Sequence, residues 1–207
     1  MEYKENWLKW AVELQSLSQS ALAYCKDPFD IERFHRIREI SAEMIEAHTD
    51  LPMEKVKDLF CGETGYQTPK LDCRAAVFQN GRILLVRENS GLWALPGGWM
   101  DVGLTVGENA AKETKEEAGM DVQPQRIIAV QDWAKRNHPG PAAQSICKIF
   151  VLCSLLGGGF QSNIETTASD WFVLDNLPPL AAEKTTREQV EMCFAANGAE
   201  HWETVFD

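Results

Sequence analysis

The chain has 207 residues, of which 44% are hydrophobic and 25% are charged, a balance that is ordinary for a soluble globular protein. Its formal net charge of −11 argues against a broad nucleic-acid-binding surface, because phosphate-backbone affinity comes from clustered Lys and Arg. The N-terminus lacks the apolar core of a signal peptide, and no apolar run reaches the length of a membrane span. Six scattered cysteines without a C-x-x-C pair are typical of free thiols. We therefore expect a cytoplasmic protein with no membrane segment.

Residues 1–66 are predicted to form a helical N-terminal domain. Apolar residues at helical spacing predict a first helix to about Tyr24, a second that Asp30 caps, and a third that ends near Phe60. Three helices of this size bury little apolar surface alone. Their surplus apolar faces predict docking on the rest of the chain or on a second copy, and we expect a homodimer.

From residue 67 to residue 207 the pattern becomes that of a mixed α/β (α+β) domain. Short β-rich runs alternate with helical segments, and Asn80-Gly81 between two such runs indicates a type I′ hairpin. Gly157-Gly158-Gly159 is interpreted as a hairpin turn rather than a phosphate loop, since no Gly-Lys-Ser/Thr follows it.

One helix of this domain carries its own start and stop signals. Thr105 followed by Glu108 predicts a capping box, and Gly119 predicts a left-handed residue at the helix end. The helix follows directly on the turn Pro96-Gly97-Gly98.

Three glutamates lie between these signals at spacing i, i+3, i+4, which places their carboxylates on one side of the helix: Glu113, Glu116 and Glu117. One interpretation is a solvated acidic face. The other is a site for Mg²⁺ or Mn²⁺, because these ions prefer hard oxygen ligands and backbone carbonyls lie open in a glycine turn.

The order of residues from Gly98 to Met120 resembles the Nudix box, G-x5-E-x7-R-E-U-x-E-E-x-G-U, where U is aliphatic. Three positions depart from that pattern: Leu104 stands for the first Glu, Lys112 for the Arg, and Thr114 for the aliphatic residue. With the helical N-terminal segment and the run LWALPGGWMDVGLTVGENAAKE, the chain is similar to a Nudix subgroup described as CDP-choline or ADP-ribose pyrophosphatases. The resemblance implies a Nudix-type mixed-sheet α/β/α sandwich preceded by a small helical domain.

The resemblance also implies a Nudix pyrophosphohydrolase that cleaves a phosphoanhydride bond by attack of water on phosphorus. In this family Mg²⁺ or Mn²⁺ neutralises and orients the diphosphate. Glu113, Glu116 and Glu117 match the metal-binding glutamates, and Gly97 matches the residue whose carbonyl completes the set. Glu165, on a later loop, is a candidate for a further ligand or for the general base, and the alternative is an ordinary surface acid. Glu117 or Glu165 could serve as the base.

Three side chains are candidates for substrate contacts. Arg74 and Arg87 lie on strands expected to flank the box, and Arg can hold phosphate oxygens bidentately; the alternative is surface arginines in salt bridges. Trp99 could stack on a base or a choline group, or cover the sheet. The stretch 133–140 has the composition of a specificity loop, with an ordinary solvated turn as the alternative.

The resemblance implies that the substrate is a small nucleotide, a nucleoside diphosphate linked to another group X. A CDP-alcohol such as CDP-choline is favoured because of the N-terminal domain, with ADP-ribose as the alternative. A nucleotide-binding sensor that does not hydrolyse is a rival from another class, and a hydrolase of RNA 5′ ends would need a basic channel that the composition does not suggest.

Overall fold

The computed structural model describes residues 6–138, 142 and 145–207. This part of the chain divides into two compact units: the first runs to Pro69 and also includes residues 142 and 145, and the second comprises residues 70–138 and 146–207. The domain limits 1–66 and 67–207 stay a prediction, and residues 1–5 of the first, like Pro139 and Gly140 of the predicted specificity loop, lie outside the described residues. Among the helices described, we find none with the length and apolar character to cross a membrane.

The first unit contains three helices, α1 (Asn6–Tyr24), α2 (Pro28–Glu46) and α3 (Met53–Cys61). The second helix begins earlier than the sequence suggested, and the assignment of Asp30 as its cap is wrong. Asp27 is the cap, because its carboxylate accepts the N–H groups of Phe29 at 2.9 Å and Asp30 at 3.1 Å. Pro28 occupies the first helical position, where a missing N–H costs nothing.

One side of α1 remains exposed although it is apolar. Trp10, Leu17 and Tyr24 are 47%, 61% and 72% exposed. They follow one another at intervals of seven residues, which places them along one side of a helix. The core of this unit lies elsewhere, around Ala11 and Ala42. The stripe Trp10–Leu17–Tyr24 is therefore an apolar surface without a partner within the described residues.

In its described residues, the second unit combines a mixed sheet with three α-helices and a short 3₁₀ helix (Leu174–Asn176). Its elements in chain order are β1 (Lys70–Gln79), β2 (Arg82–Glu88), β3 (Trp93–Ala94), β4 (Gly97–Trp99), α4 (Val106–Ala118), β5 (Met120–Asp132), α5 (Trp133–Arg136), β6 (Ile146–Gly158), β7 (Thr166–Phe172), α6 (Arg187–Gly198) and β8 (Val205–Phe206).

The sheet has the order β3-β2-β1-β6-β5-β8 among the described residues, with β4 beside β1 and β7 beside β2. It is mixed, since β1 runs parallel to β6 and antiparallel to β2. Helix α4 packs on the face formed by Cys73, Ala75 and Val77, and α6 packs on the opposite face at Ala76. This α/β/α layering confirms the predicted fold class.

The local signals gave mixed results. Asn80 and Gly81 both have positive φ, 51° and 73°, as a type I′ turn requires. The capping box at the start of α4 is present, and Gly119 ends the helix with φ 72°. The assignment of the glycine run as a turn is wrong for its first two residues: Gly157 and Gly158 belong to β6, where they pair with Asp121 and Met120.

A cluster of three buried charges lies on the α6 face of the sheet. Asp72, Arg74 and Lys148 are 6%, 4% and 1% exposed. Arg74 Nε and Nη2 donate to the two Asp72 oxygens at 2.9 and 2.7 Å, and Lys148 Nζ lies 3.5 Å from Asp72 Oδ1. Burial alone would raise the pKa of Asp72, but the charges of Arg74 and Lys148 outweigh it and hold that pKa below its usual value. Burial lowers the pKa of Lys148 to about 8.

We predict that Asp72→Asn lowers the free energy of unfolding by about 3–5 kcal/mol, because it leaves two buried cations without their counter-charge. Urea unfolding followed by tryptophan fluorescence measures the change. Adding Lys148→Met to Asp72→Asn removes one of the unpaired cations, so the double variant should lose less stability than the sum of the single variants.

Asp175→Asn is the matched control, since Asp175 is exposed and its substitution should change stability by less than about 0.5 kcal/mol. Equal losses for Asp72→Asn and Asp175→Asn, or strict additivity of the two buried substitutions, would contradict the cluster's electrostatic role.

Candidate active site

The site is built on the glycine turn that enters β4. Gly97 lies opposite Arg74 of β1 and has φ +140°, and a Cβ there would lie 2.0 Å from the Cys73 carbonyl oxygen. A Cβ on Gly98 would lie 3.1 Å from Glu113 Oε2. The first glycine lets the two strands approach, and the second leaves room for a carboxylate of α4 against the backbone.

Two carboxylates of α4 face this turn. Glu117 Oε2 accepts the Gly97 N–H at 2.8 Å, and Glu113 is 9% exposed. Burial raises the pKa of Glu117 to about 7, although the Gly97 N–H and the charge of Arg74 act in the opposite direction. Burial also raises the pKa of Glu113. Burial therefore destabilises the ionised form of both carboxylates, and a nearby positive charge would stabilise it.

Lys112 supplies part of that charge. Its ammonium lies 2.6 Å from Glu116 Oε2, 3.1 Å from Glu113 Oε1 and 3.2 Å from Asp101 Oδ2. Hydrogen bonds to Glu116 and Glu113 raise the pKa of Lys112. At the box position expected to hold Arg, the lysine therefore acts as a point charge shared among carboxylates.

The predicted metal ligands lie on one side of α4 but do not converge on one point. Within residues 6–138, 142 and 145–207, no three His, Cys, Asp or Glu side chains are close enough to hold a metal ion. The donor set still fits a hard divalent cation, because it consists of carboxylate oxygens and the Lys112 ammonium already lies between Glu113 and Glu116.

Glu165 lies on a loop that is tied to the end of α4. Asn163 Nδ2 donates to the Glu116 carbonyl at 3.0 Å, and Thr166 Oγ1 donates to the Glu117 carbonyl at 2.6 Å. Asn163 Oδ1 accepts the Glu165 N–H at 2.9 Å. The Glu165 charge contributes, after burial and the charge of Glu116, to the raised pKa of Glu113, so the Glu165 and Glu113 carboxylates interact electrostatically.

The three predicted substrate-contact residues lie in different environments. Arg74 is buried, and besides its bonds to Asp72 its Nη1 donates to the Leu95 carbonyl at 3.2 Å. Arg87 is exposed and its Nε donates to Thr167 Oγ1 at 2.8 Å. Trp99 is 52% exposed at the end of β4. The structure places Arg74 beside Glu117, and the roles of all three stay predictions.

The stretch that follows β5 contains the short helix α5. Trp133 stacks on His138 with ring centroids 4.8 Å apart, and its indole N–H donates to the Glu183 carbonyl at 2.7 Å. The predicted specificity loop is thereby attached to the turn that precedes α6. Lys184 of this turn pairs with Glu88 at 2.5 Å.

Several residues that shape the site were not identified from the sequence: Asp72, Lys148, Asn163, Thr166 and Lys184. For Asp72 and Lys148 a signal existed, since each interrupts an apolar strand with a charge, and a buried charge requires a partner. The other three act through contacts between segments that are distant in sequence, for which the sequence offers no local signal.

Comparison with known proteins identifies both parts of the chain. Residues 69–193 match the family described as the NUDIX domain, and residues 5–60 match the family described as the UDP-X-like, N-terminal oligomerisation domain. A Bacillus subtilis (strain 168) protein named "Putative ADP-ribose pyrophosphatase YjhB" is 40% identical over 208 residues, which is 100% of both chains.

Two solved structures are also similar. An ADP-ribose pyrophosphatase from Streptococcus suis is 56% identical with a TM-score of 0.63, and the match covers 68% of this chain and 100% of that one. A UDP-X diphosphatase is 31% identical with a TM-score of 0.63, and the match covers 97% of this chain and 98% of that one. The matched box, the carboxylates around the glycine turn and these similarities together place the chain in the Nudix hydrolase family, as a pyrophosphohydrolase whose residues 5–60 match a separate family of N-terminal domains.

Proposed function

We propose that this chain hydrolyses the phosphoanhydride bond of a nucleoside diphosphate linked to another group X, with Mg²⁺ or Mn²⁺. The observation that carries the proposal is the packing of Glu113 and Glu117 against the Gly97-Gly98 turn, where Glu117 accepts the Gly97 N–H. Two desolvated carboxylates at a backbone turn are an arrangement that favours a bound cation and an anionic substrate brought in by it.

Nudix hydrolases generally use divalent metals, and we assign the ligands here to Glu113, Glu116, Glu117 and the Gly97 carbonyl. A bound divalent ion would supply positive charge against the diphosphate and acidify the attacking water. In this proposal, Glu113 and Glu117 are held against β4, and Glu116 rotates away from Lys112 to reach the ion. This role for Gly97 concerns its carbonyl, whereas its N–H is already bonded to Glu117.

The general base is assigned to one of two carboxylates. Glu117, with a pKa of about 7, could take a proton from water near neutral pH. Glu165 lies on a loop that Asn163 and Thr166 fix to the end of α4, and its charge acts on Glu113. In either case water attacks phosphorus, the base accepts the proton, and the anhydride P–O bond breaks to release two phosphate products.

The names of the full-length relatives place ADP-ribose first among the substrates to be tried, followed by UDP-linked compounds. CDP-choline stays a candidate, because a cationic choline group would favour the exposed face of Trp99. A sensor that binds a nucleotide without cleaving it is the rival function. The sensor is disfavoured because the three glutamates assigned to the metal, Glu113, Glu116 and Glu117, are all present.

We predict that the chain cleaves one of these compounds at the anhydride when Mg²⁺ or Mn²⁺ is present, and that chelation by EDTA abolishes the reaction. The panel consists of ADP-ribose, a UDP-sugar, CDP-choline, NADH, diadenosine polyphosphates and a 5′-triphosphate RNA, with products separated by chromatography. Glu117→Gln should lower kcat at least about 10³-fold while circular dichroism remains that of the wild type, because the variant loses a metal-binding or proton-accepting oxygen.

Glu191→Gln is the control, because Glu191 is an exposed carboxylate of α6 paired only loosely with Arg187 at 3.5 Å. Its kcat should stay within about twofold of the wild type. Comparison with Glu165→Gln separates the two candidate bases, since the variant of the true base loses the acidic limb of the pH–rate profile, the fall in kcat as the base becomes protonated. An active Glu117→Gln would refute the metal assignment, and tight nucleotide binding without cleavage would favour the sensor.

We also propose that the N-terminal unit forms a homodimer through the stripe Trp10–Leu17–Tyr24. A stripe at seven-residue spacing on a 19-residue helix is suited to helix-to-helix packing between two copies. The match of residues 5–60 to an N-terminal oligomerisation domain supports this assignment.

We predict that Leu17→Glu halves the mass measured by light scattering, because a charge in the centre of the stripe must lose its hydration in the dimer. Lys9→Glu, also exposed on α1 but outside the stripe, should keep the mass of the wild type. A wild-type mass of one chain, or a dimer that survives Leu17→Glu, would count against the stripe as the interface.

A further inference from the structure

Lys184 occupies a turn whose backbone is fixed from several sides. The Ala181 N–H donates to the Trp93 carbonyl at 2.8 Å, and the Leu95 N–H donates to Thr185 Oγ1 at 3.0 Å. The buried ammonium of Lys148 donates to the Lys184 carbonyl. Residues 181–185 are thus held by the segment that precedes Gly97 and by the buried charge cluster. These bonds fix the backbone at Lys184.

Two chains of contacts connect Lys184 to Glu117. Its Nζ lies 2.5 Å from Glu88 Oε1, Glu88 is the register partner of Thr166, and Thr166 Oγ1 bonds the Glu117 carbonyl at 2.6 Å. On the other side, Leu95 bonds Thr185 and precedes Gly97 by two residues, and the Gly97 N–H bonds Glu117 at 2.8 Å. The charge of Lys184 also lowers the pKa of Glu117, against the larger effect of burial.

Two other cations near Glu117, Arg74 and Lys112, already have acceptors. The Arg74 guanidinium is 4% exposed and holds Asp72 and the Leu95 carbonyl, and Lys112 is shared among three carboxylates. The Lys184 side chain is 47% exposed. An ammonium has three N–H donors, and in the part of the chain that the structure describes the recorded acceptor for its side chain is Glu88.

We propose that Lys184 is a substrate-binding residue that contacts an oxygen of the substrate's diphosphate, and that Glu88 holds the lysine in place until the diphosphate replaces it. The proposal rests on the proposed function and assigns one of its contacts. A surface salt bridge contributes little to stability, so the Lys184–Glu88 pair alone does not account for the bonds that hold the backbone of this turn. Arg74 would then act as a positioning residue, through Asp72 and Leu95.

The experiment compares steady-state kinetics of four variants with the best substrate of the panel and Mg²⁺. Lys184→Gln should raise KM at least about tenfold and leave kcat within about threefold, because a charge-assisted hydrogen bond to phosphate is lost. Lys184→Arg should restore most of the affinity. Glu88→Gln should lower KM, since it removes the carboxylate that competes for the ammonium.

Lys115→Gln is the matched control, because Lys115 is an equally exposed lysine of α4 paired with Asp121 at 2.9 Å. Its KM should equal that of the wild type. Added NaCl should raise the KM of the wild type more than that of Lys184→Gln, because one screened charge is missing in the variant. A merely structural salt bridge predicts the same direction of change for Lys184→Gln and Glu88→Gln, and that result would overturn the proposal.

The role of Lys184 can be tested even if the proposed hydrolysis is not observed. If the wild type cleaves no compound of the panel, the reaction assignment falls, and calorimetry with ADP and Mg²⁺ then tests Lys184 by binding alone. A tenfold weaker affinity of Lys184→Gln for ADP supports the contact, whereas equal affinities of the wild type and the variant overturn it.

Discussion

The hydrogen bond from the Gly97 N–H to Glu117 joins the sheet to the helix that carries the acidic residues, and the site depends on it. It requires that β4 approach β1 so closely that a Cβ on Gly97 would overlap the Cys73 carbonyl. The same approach takes Glu117 and Glu113 out of water, which is why the pKa values of both carboxylates rise. The fold thereby holds like charges at a desolvated turn, an arrangement that costs stability and attracts cations.

The buried charge cluster explains how the sheet supports this arrangement. Asp72 fixes the Arg74 fork, Arg74 reaches the Leu95 carbonyl just before the glycine turn, and Lys148 reaches the turn that carries Lys184. One carboxylate therefore connects both sides of the site. A set of apolar residues of the same volume could fill the space, but it would provide neither of these bonds to backbone carbonyls.

Local chemistry made much of the second unit predictable. The capping box at Thr105, the left-handed Gly119 and the Asn80-Gly81 hairpin each depend on neighbours within four residues, and all three were predicted correctly. The box spacing predicted that Glu113 and Glu117 lie on one side of a helix. In the structure both carboxylates lie against the Gly97-Gly98 turn.

The misses have physical reasons as well. Asp30 and Asp27 are equally good caps by residue type, and only the fit of Pro28 at the first helical position separates them. Gly157 and Gly158 look like a turn in the sequence, yet they continue β6 because its partner strand extends to Met120. The pairing of Lys184 with Glu88 joins residues nearly a hundred positions apart, so no local pattern could reveal it.

The three departures from the Nudix box can be understood from the contacts these residues make. Thr114 replaces an aliphatic residue in a fully buried position, and its hydroxyl is satisfied by the Ala110 carbonyl at 2.7 Å, so a polar group is buried there without an unmet hydrogen bond. Lys112 replaces the planar Arg fork with a point charge that Glu113 and Glu116 share. Leu104 is half-buried at the position of the first Glu, where its N–H bonds the Asp101 carbonyl at 3.3 Å. Leu104 therefore removes one carboxylate of the box, whereas Lys112 and Thr114 leave Glu113, Glu116 and Glu117 in place and change only how they are held.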